Sequence, residues 1–166
     1  RVGIIRGWES NWFEKRSYAT KLKEDQEIRS YVKTRLRNAA VSRIVIDRTT
    51  KNVIVTIHTA KPGLVIGKSG QDIQKLEEEL KTKFAKDVKV QVTEIKKPEL
   101  DATIVAENIA RQLEGRISFR RAMKTSLSST IKAGGEGIKI MCAGRLGGAE
   151  MARTEQYKEG RTPLHT

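Results

Sequence analysis

Cysteine is almost missing from this 166-residue chain. Cys142 stands alone, so no intrachain disulfide can form and a reducing compartment is compatible. It lies within Ile140-Met141-Cys142-Ala143, where a packed thiol is the ordinary reading. Histidine is nearly as scarce: His58 and His165 are too few and too far apart for a recognisable metal site, and nothing asks for a cofactor. The longest apolar run is about four residues, far short of the roughly 20 needed to cross a bilayer, so no membrane role is expected. No signal peptide is visible. The chain begins at Arg1 rather than Met and runs out after Thr166 without an obvious stop, which reads as a trimmed fragment. Neither G-x-S-x-G nor H-E-x-x-H occurs, and the acids are not grouped as a two-metal site would need.

Positive charge is what abounds. Lysine and arginine number 33 against 20 acids, giving a net charge of +13 and a pI near 10.0. A chain this basic is suited to nucleic acid, because neutralising phosphates releases counterions. Charged residues make up 32% and hydrophobic ones 37%, a soluble and rather polar composition with room for one large or two small domains.

The stretch Pro62-Gly63-Leu64-Val65-Ile66-Gly67-Lys68-Ser69-Gly70 stands out. Glycine accepts positive φ and lets another backbone come close. A nucleotide P-loop requires G-x-x-x-x-G-K-[ST], but Gly63 and Gly67 enclose three residues and Pro62 holds the position that needs glycine. That spacing fails. The remaining functional reading is the G-x-x-G loop of a KH domain, Gly67-Lys68-Ser69-Gly70, which clamps a short run of single-stranded backbone. G-x-x-G alone is a weak pattern, and a plain tight turn before a helix is the bland reading.

Context decides. Residues 1–27 read as an irregular arm holding Trp8, Trp12, Phe13 and Tyr18, half of the eight aromatics. Such an arm packs on its own chain, stacks on bases or docks on a partner. Residues 25–39 read as a helix with Asp25 as cap and Ile28, Val32, Leu36 and Ala39 as its apolar stripe. Arg43–Asp47 and Val53–His58 read as β-branched strands joined by a turn over Thr49–Asn52. Ser69 and Asp72 resemble a capping box, Ile73, Leu76, Leu80 and Phe84 mark a helix face, and Glu77–Lys81 and Glu79–Lys83 are possible i,i+4 pairs. Val88, Val90 and Val92 alternate as a half-buried strand does. Helix, strand, strand, short helix, GXXG, helix, strand is the order of a type II KH domain. Residues 28–96 carry fifteen basic and seven acidic side chains, so the loop sits in the most positive segment.

Lys97-Pro98 closes this unit. A helix follows from Glu99 to Gly115, with Ile104, Val105, Ile109 and Leu113 inward. A further helix has Phe119, Met123, Leu127 and Ile131 at intervals of four, with Arg120, Arg121 and Lys124 on its flank. These three cations lack an acidic i,i+4 partner among themselves, although a solvated face is the usual meaning of such a cluster. Ile138–Met141 begins a strand, Arg145–Glu150 turns out of it, and a last strand carries Arg153, Tyr157 and Arg161.

Taken together, the motifs resemble a known family. Ser42-Arg43-Ile44-Val45-Ile46, Thr56-Ile57-His58-Thr59-Ala60, Pro62-Gly63-x-Val65-Ile66-Gly67-Lys68 and Lys97-Pro98-Glu99-Leu100-Asp101-Ala102 are similar to the bacterial ribosomal protein S-three family. So are Phe119-Arg120-Arg121-Ala122-Met123-Lys124, Gly144-Arg145-Leu146-Gly147-Gly148-Ala149-Glu150 and Gly160-Arg161-x-Pro163-Leu164-His165-Thr166. The resemblance implies an α/β (α+β) chain: an arm over 1–27, a type II KH domain over 28–96, and a family-specific α/β domain over 97–166 that is incomplete at its C-terminus. It also implies a non-enzymatic place in the head of the small subunit of cytoplasmic ribosomes, on 16S-type rRNA, lining the channel by which mRNA enters together with neighbouring head and channel proteins. Arg120, Arg121 and Lys124 match the family's channel motif, which holds mRNA and supports its unwinding. Thr125 departs from it, standing where many relatives add another basic residue. Gly67, Lys68, Ser69 and Gly70 are expected on RNA backbone, and Arg145 and Arg153 on rRNA as positioning cations. A free KH-domain RNA-binding regulator shares the first half of this pattern, but residues 97–166 speak against it.

Overall fold

The computed structural model describes residues 3–4, 6–49, 52–84 and 86–162. The Pro163–Thr166 end of the last motif, His165 included, lies outside them. The chain forms two compact units, residues 1–96 and 97–166, each described by itself.

In the first unit, β1 (Ser10–Asn11), α1 (Tyr18–Arg35), β2 (Val41–Arg48) and β3 (Asn52–Thr59) are followed by α2 (Pro62–Ile66), a 3-10 turn (Lys68–Gly70), α3 (Gln71–Phe84) and β4 (Asp87–Glu94). The sheet order is β1-β2-β3-β4. β2 pairs antiparallel with β3, whereas β3 and β4 run parallel. Parallel neighbours need a crossover. Here α2, the glycine loop and α3 supply it, so topology places the loop at the end of the sheet. One face of the sheet carries Ile44, Ile46, Val55, Ile57, Val88 and Val90, buried against Ile28 and Val32 of α1 and Leu76 and Leu80 of α3. Fully burying each such side chain is worth about 1.5–3 kcal/mol. From α1 to β4 the expected element order is the one observed, as is the α/β class; β1 precedes it.

Several local expectations are corrected. α1 begins at Tyr18, seven residues before the expected cap, and ends at Arg35 rather than near residue 39. Asp25 caps nothing: it is fully buried in mid-helix. It accepts hydrogen bonds from Arg48 Nε at 2.8 Å, Trp12 Nε1 at 2.7 Å and Ser10 Oγ at 3.0 Å. Arg48 also pairs with Glu24, which accepts from Lys86 as well. Burial alone would raise the Glu24 carboxyl, but the hydrogen bonds from Lys86 and Arg48 outweigh it and hold the group below its ordinary value of 4.5. The early helical turns escaped the periodicity test because Tyr18 and Leu22 face solvent and the buried residue is an acid. At the other end, Ala39 and Ala40 leave the helix to make a buried turn, with Ala40 at φ 51 and the Thr59 hydroxyl donating to the Ala39 carbonyl.

Ser69 and Asp72 do not form a capping box: Ser69 is left-handed (φ 55, ψ 24), and neither side chain accepts a hydrogen bond from a cap amide among the described residues. The expected i,i+4 pairs on α3 give way to tertiary partners. Glu77 accepts from the Val90 amide, Glu79 from the Tyr31 hydroxyl, Lys81 pairs with Asp87, and Lys83 lies over the Tyr31 ring. Nor is the arm irregular throughout. β1 pairs parallel with β2, and Trp12 turns inward to Asp25, while Trp8 and Phe13 remain exposed.

In the second unit a 3-10 turn (Pro98–Leu100) leads into α4 (Ala102–Glu114), then α5 (Phe119–Lys132), β5 (Gly137–Gly144), a 3-10 turn (Leu146–Gly148) and β6 (Arg153–Gly160). Asp101 caps α4, accepting from the amides of Thr103 and Ile104. β5 and β6 form an antiparallel hairpin. Ile109, Ala122, Met123, Leu127 and Ile140 make its small core, with Tyr157 packed at the side.

Candidate nucleic-acid interface

The loop between α2 and α3 is a run of unusual backbone. Gly67, Ser69 and Gly70 lie at φ 72, 55 and 77. Holding a non-glycine such as Ser69 there costs about 1–2 kcal/mol. Glycine is required at 67 for a second reason: the Asp72 carboxylate occupies the space where a Cβ would stand. Lys68 and Ser69 are exposed. The Lys68 side chain makes no hydrogen bond or ion pair among the described residues, and α3, a 14-residue helix, begins directly after the loop with its positive dipole end. Amides, a free ammonium and a helix N-terminus at one exposed corner suit the phosphates of a nucleic-acid strand.

Two residues beside this loop escaped the sequence reading. Leu64 and Ile66 are 55% and 39% exposed, while Val65 between them is buried. A five-residue helix buries only one face, so an all-apolar Leu-Val-Ile run there had to leave apolar surface outside.

In the second unit Arg120, Arg121 and Lys124 are exposed on the first turns of α5, opposite buried Ala122 and Met123. Arg121 has no partner among the described residues. Lys124 Nζ sits 5.9 Å from the Tyr157 ring centroid. Arg120 Nε approaches Glu155 at 3.8 Å, and Arg153 pairs with the same carboxylate at 3.0 Å. Two groups of cations that the sequence treats separately thus meet at Glu155. Arg145 stands apart from them in its hydrogen bonding: its Nε donates to the Ala149 carbonyl at 2.9 Å, closing the Leu146–Gly148 turn.

No cluster of three or more histidine, cysteine or acidic residues that could hold a metal occurs among the described residues. Burial raises the Cys142 thiol above its ordinary 9.0, leaving little thiolate. A groove of about 480 Å³ between α4 and β5 is lined by Val105, Ile109, Leu113, Ile138 and Ile140, with neither histidine nor paired carboxylates. No helix is long and apolar enough to cross a membrane among the described residues.

A KH-domain family model matches residues 27–100, and one described as "Ribosomal protein S3, C-terminal domain" matches residues 109–166. The chain is 57% identical over all 166 residues to a small ribosomal subunit protein uS3 of Salinibacter ruber, covering 70% of it. It is likewise 61% and 58% identical to uS3 proteins of Porphyromonas gingivalis and Bacteroides thetaiotaomicron, covering 68% of each. The chain belongs to the uS3 family of small ribosomal subunit proteins. Members of this family are structural constituents of the ribosome and not enzymes. The glycine loop falls within the KH match, and α5 with its three cations falls within the family-specific one.

Proposed function

We propose that this chain is an RNA-gripping constituent of the small subunit of cytoplasmic ribosomes, with an arm over residues 1–27, a KH unit over 28–96 and a ribosomal unit over 97–166. Gly67, Lys68, Ser69 and Gly70 contact sugar-phosphate backbone. Arg145 and Arg153 position rRNA without reading bases. Arg120, Arg121 and Lys124 line the channel by which mRNA enters, beside neighbouring ribosomal proteins. The observation that carries this reading is the positive-φ, solvent-facing 67–70 turn at the start of α3, with a lysine side chain unpartnered among the described residues.

Glu155 adds a mechanical detail. By touching both Arg120 and Arg153, it sets the spacing of two cations at a cost in free positive charge. Arg121 and Lys124 keep theirs. A fixed positive rim of this kind holds single-strand phosphates and disfavours re-pairing of the duplex ahead, and translocation supplies the work. In ribosomes rebuilt with Arg120, Arg121 and Lys124 replaced by alanine, translation through mRNA hairpins should slow while subunit assembly persists. Unchanged passage through hairpins would remove the unwinding role. Cosedimentation with small subunits at moderate salt separates this reading from a free KH regulator, which would stay in the supernatant.

A further inference from the structure

The solvent side of the β5–β6 hairpin carries a charge pattern that folding alone does not explain. Along β5 the exposed residues are Lys139, Met141 and Ala143; along β6 they are Thr154, Gln156 and Lys158. Register places Lys139 directly opposite Lys158, Met141 opposite Gln156 and Ala143 opposite Thr154. This six-residue face holds no acid. The hairpin's acids, Glu155 and Glu159, alternate with it on the other side.

Like charges directly across an antiparallel pair destabilise it, because their Cβ atoms stand only about 4.5–5.5 Å apart. Neither lysine side chain has a hydrogen bond or ion pair among the described residues, and Glu159, next to Lys158 in sequence, belongs to the opposite face. Met141, 57% exposed, lies next to the pair and gives it an apolar neighbour. An anion that sits between the two ammonium groups removes the repulsion.

We propose that this face is a further RNA contact, with Lys139 and Lys158 together engaging backbone phosphates and Gln156 and Thr154 offering neutral hydrogen bonds alongside. The choice of RNA rests on the RNA-binding reading above and on charge complementarity: two cations, no acid, and a polar remainder suit a phosphodiester strand. This surface is distinct from the α5 cations, since the side chains of β5 and β6 alternate and Tyr157, beside Lys124, points to the helix side.

The test is fluorescence anisotropy of the full chain with a labelled 20-nucleotide oligouridylate over a range of KCl concentrations. Each single-strand phosphate contact contributes about 0.7 to the log–log salt slope. Lys139→Gln with Lys158→Gln should therefore flatten the slope by about 1.4. Lys158→Glu should flatten it similarly, since it also pairs off Lys139, and should melt no lower than the parent because a repulsive cross-strand pair becomes an attractive one. An unchanged slope in both variants, with the parent still steep, overturns this contact and leaves the RNA reading intact. A flat slope in the parent overturns both. Loss of binding to a polyglutamate peptide, with the RNA slope unchanged, assigns the face to an acidic protein segment and likewise overturns it.

Discussion

The two units differ in where their ion pairs lie. In residues 1–96 one group of arginines and lysines is tied down: Arg48 is sunk onto Asp25 and Glu24, Lys86 shares Glu24, Lys21 pairs with Glu14, and Lys81 with Asp87. Lys68 is not among them: its exposed side chain is unpartnered among the described residues, beside the positive-φ backbone of the glycine loop. In residues 97–166 the cations lie outward on a small core, with Glu155 shared by Arg120 and Arg153 and with Arg121, Lys139 and Lys158 unpartnered among the described residues. The buried Asp25–Arg48 pair builds structure in the first unit, whereas the Glu155 pairs of the second lie at its surface.

That contrast is sharpest at Asp25. Removing one member of a buried ion pair strands the other, so Asp25→Ala should cost about 3–5 kcal/mol in urea unfolding. A loss below about 1 kcal/mol would mean the network is no clasp. Gly67→Ala comes next. It combines a left-handed backbone with a clash against Asp72. It should cost about 1–2 kcal/mol and weaken RNA binding, whereas Gly63→Ala, which meets open space, should do far less. Lys68→Asp should leave stability within about 0.5 kcal/mol, as surface changes do, yet lower RNA affinity and flatten its salt dependence.

The smallest effect is on pH. Glu24 is held below 4.5 in the folded state, so its pairing stabilises the fold above that value. The contribution should fade as pH drops below 4.5 through the depressed folded value. Lys86→Met should make the acid limb of a thermal-melt profile shallower, with little change at neutral pH. An identical acid limb in the variant would show that Lys86 does not hold the carboxyl.

Strand and helix order were legible because β-branched alternation and four-residue apolar spacing dominate the core: Val88 and Val90, or Met123 and Leu127, sit where their periods put them. The glycine loop was legible because only glycine tolerates the Gly67 geometry. The start of α1 was not, since its buried residue is charged and its apolar residues face out. Ser69 misled because a serine three residues before an acid has the right spacing for a cap but here adopts the wrong backbone. Glu155 escaped notice because its arginine partners come from two elements, and no local pattern reports a contact between a helix and a strand. The cross-strand lysines were equally hidden, since opposition is a matter of register.

Binding of the full chain to single-stranded RNA, followed across about a tenfold range of KCl, decides whether phosphate contacts hold the complex. The logarithm of the affinity should fall linearly with that of salt, with a slope reduced by Lys68→Asp and again by the triple alanine replacement on α5. An affinity indifferent to salt, or a slope that neither variant alters, would contradict the proposal that exposed cations in both units grip RNA.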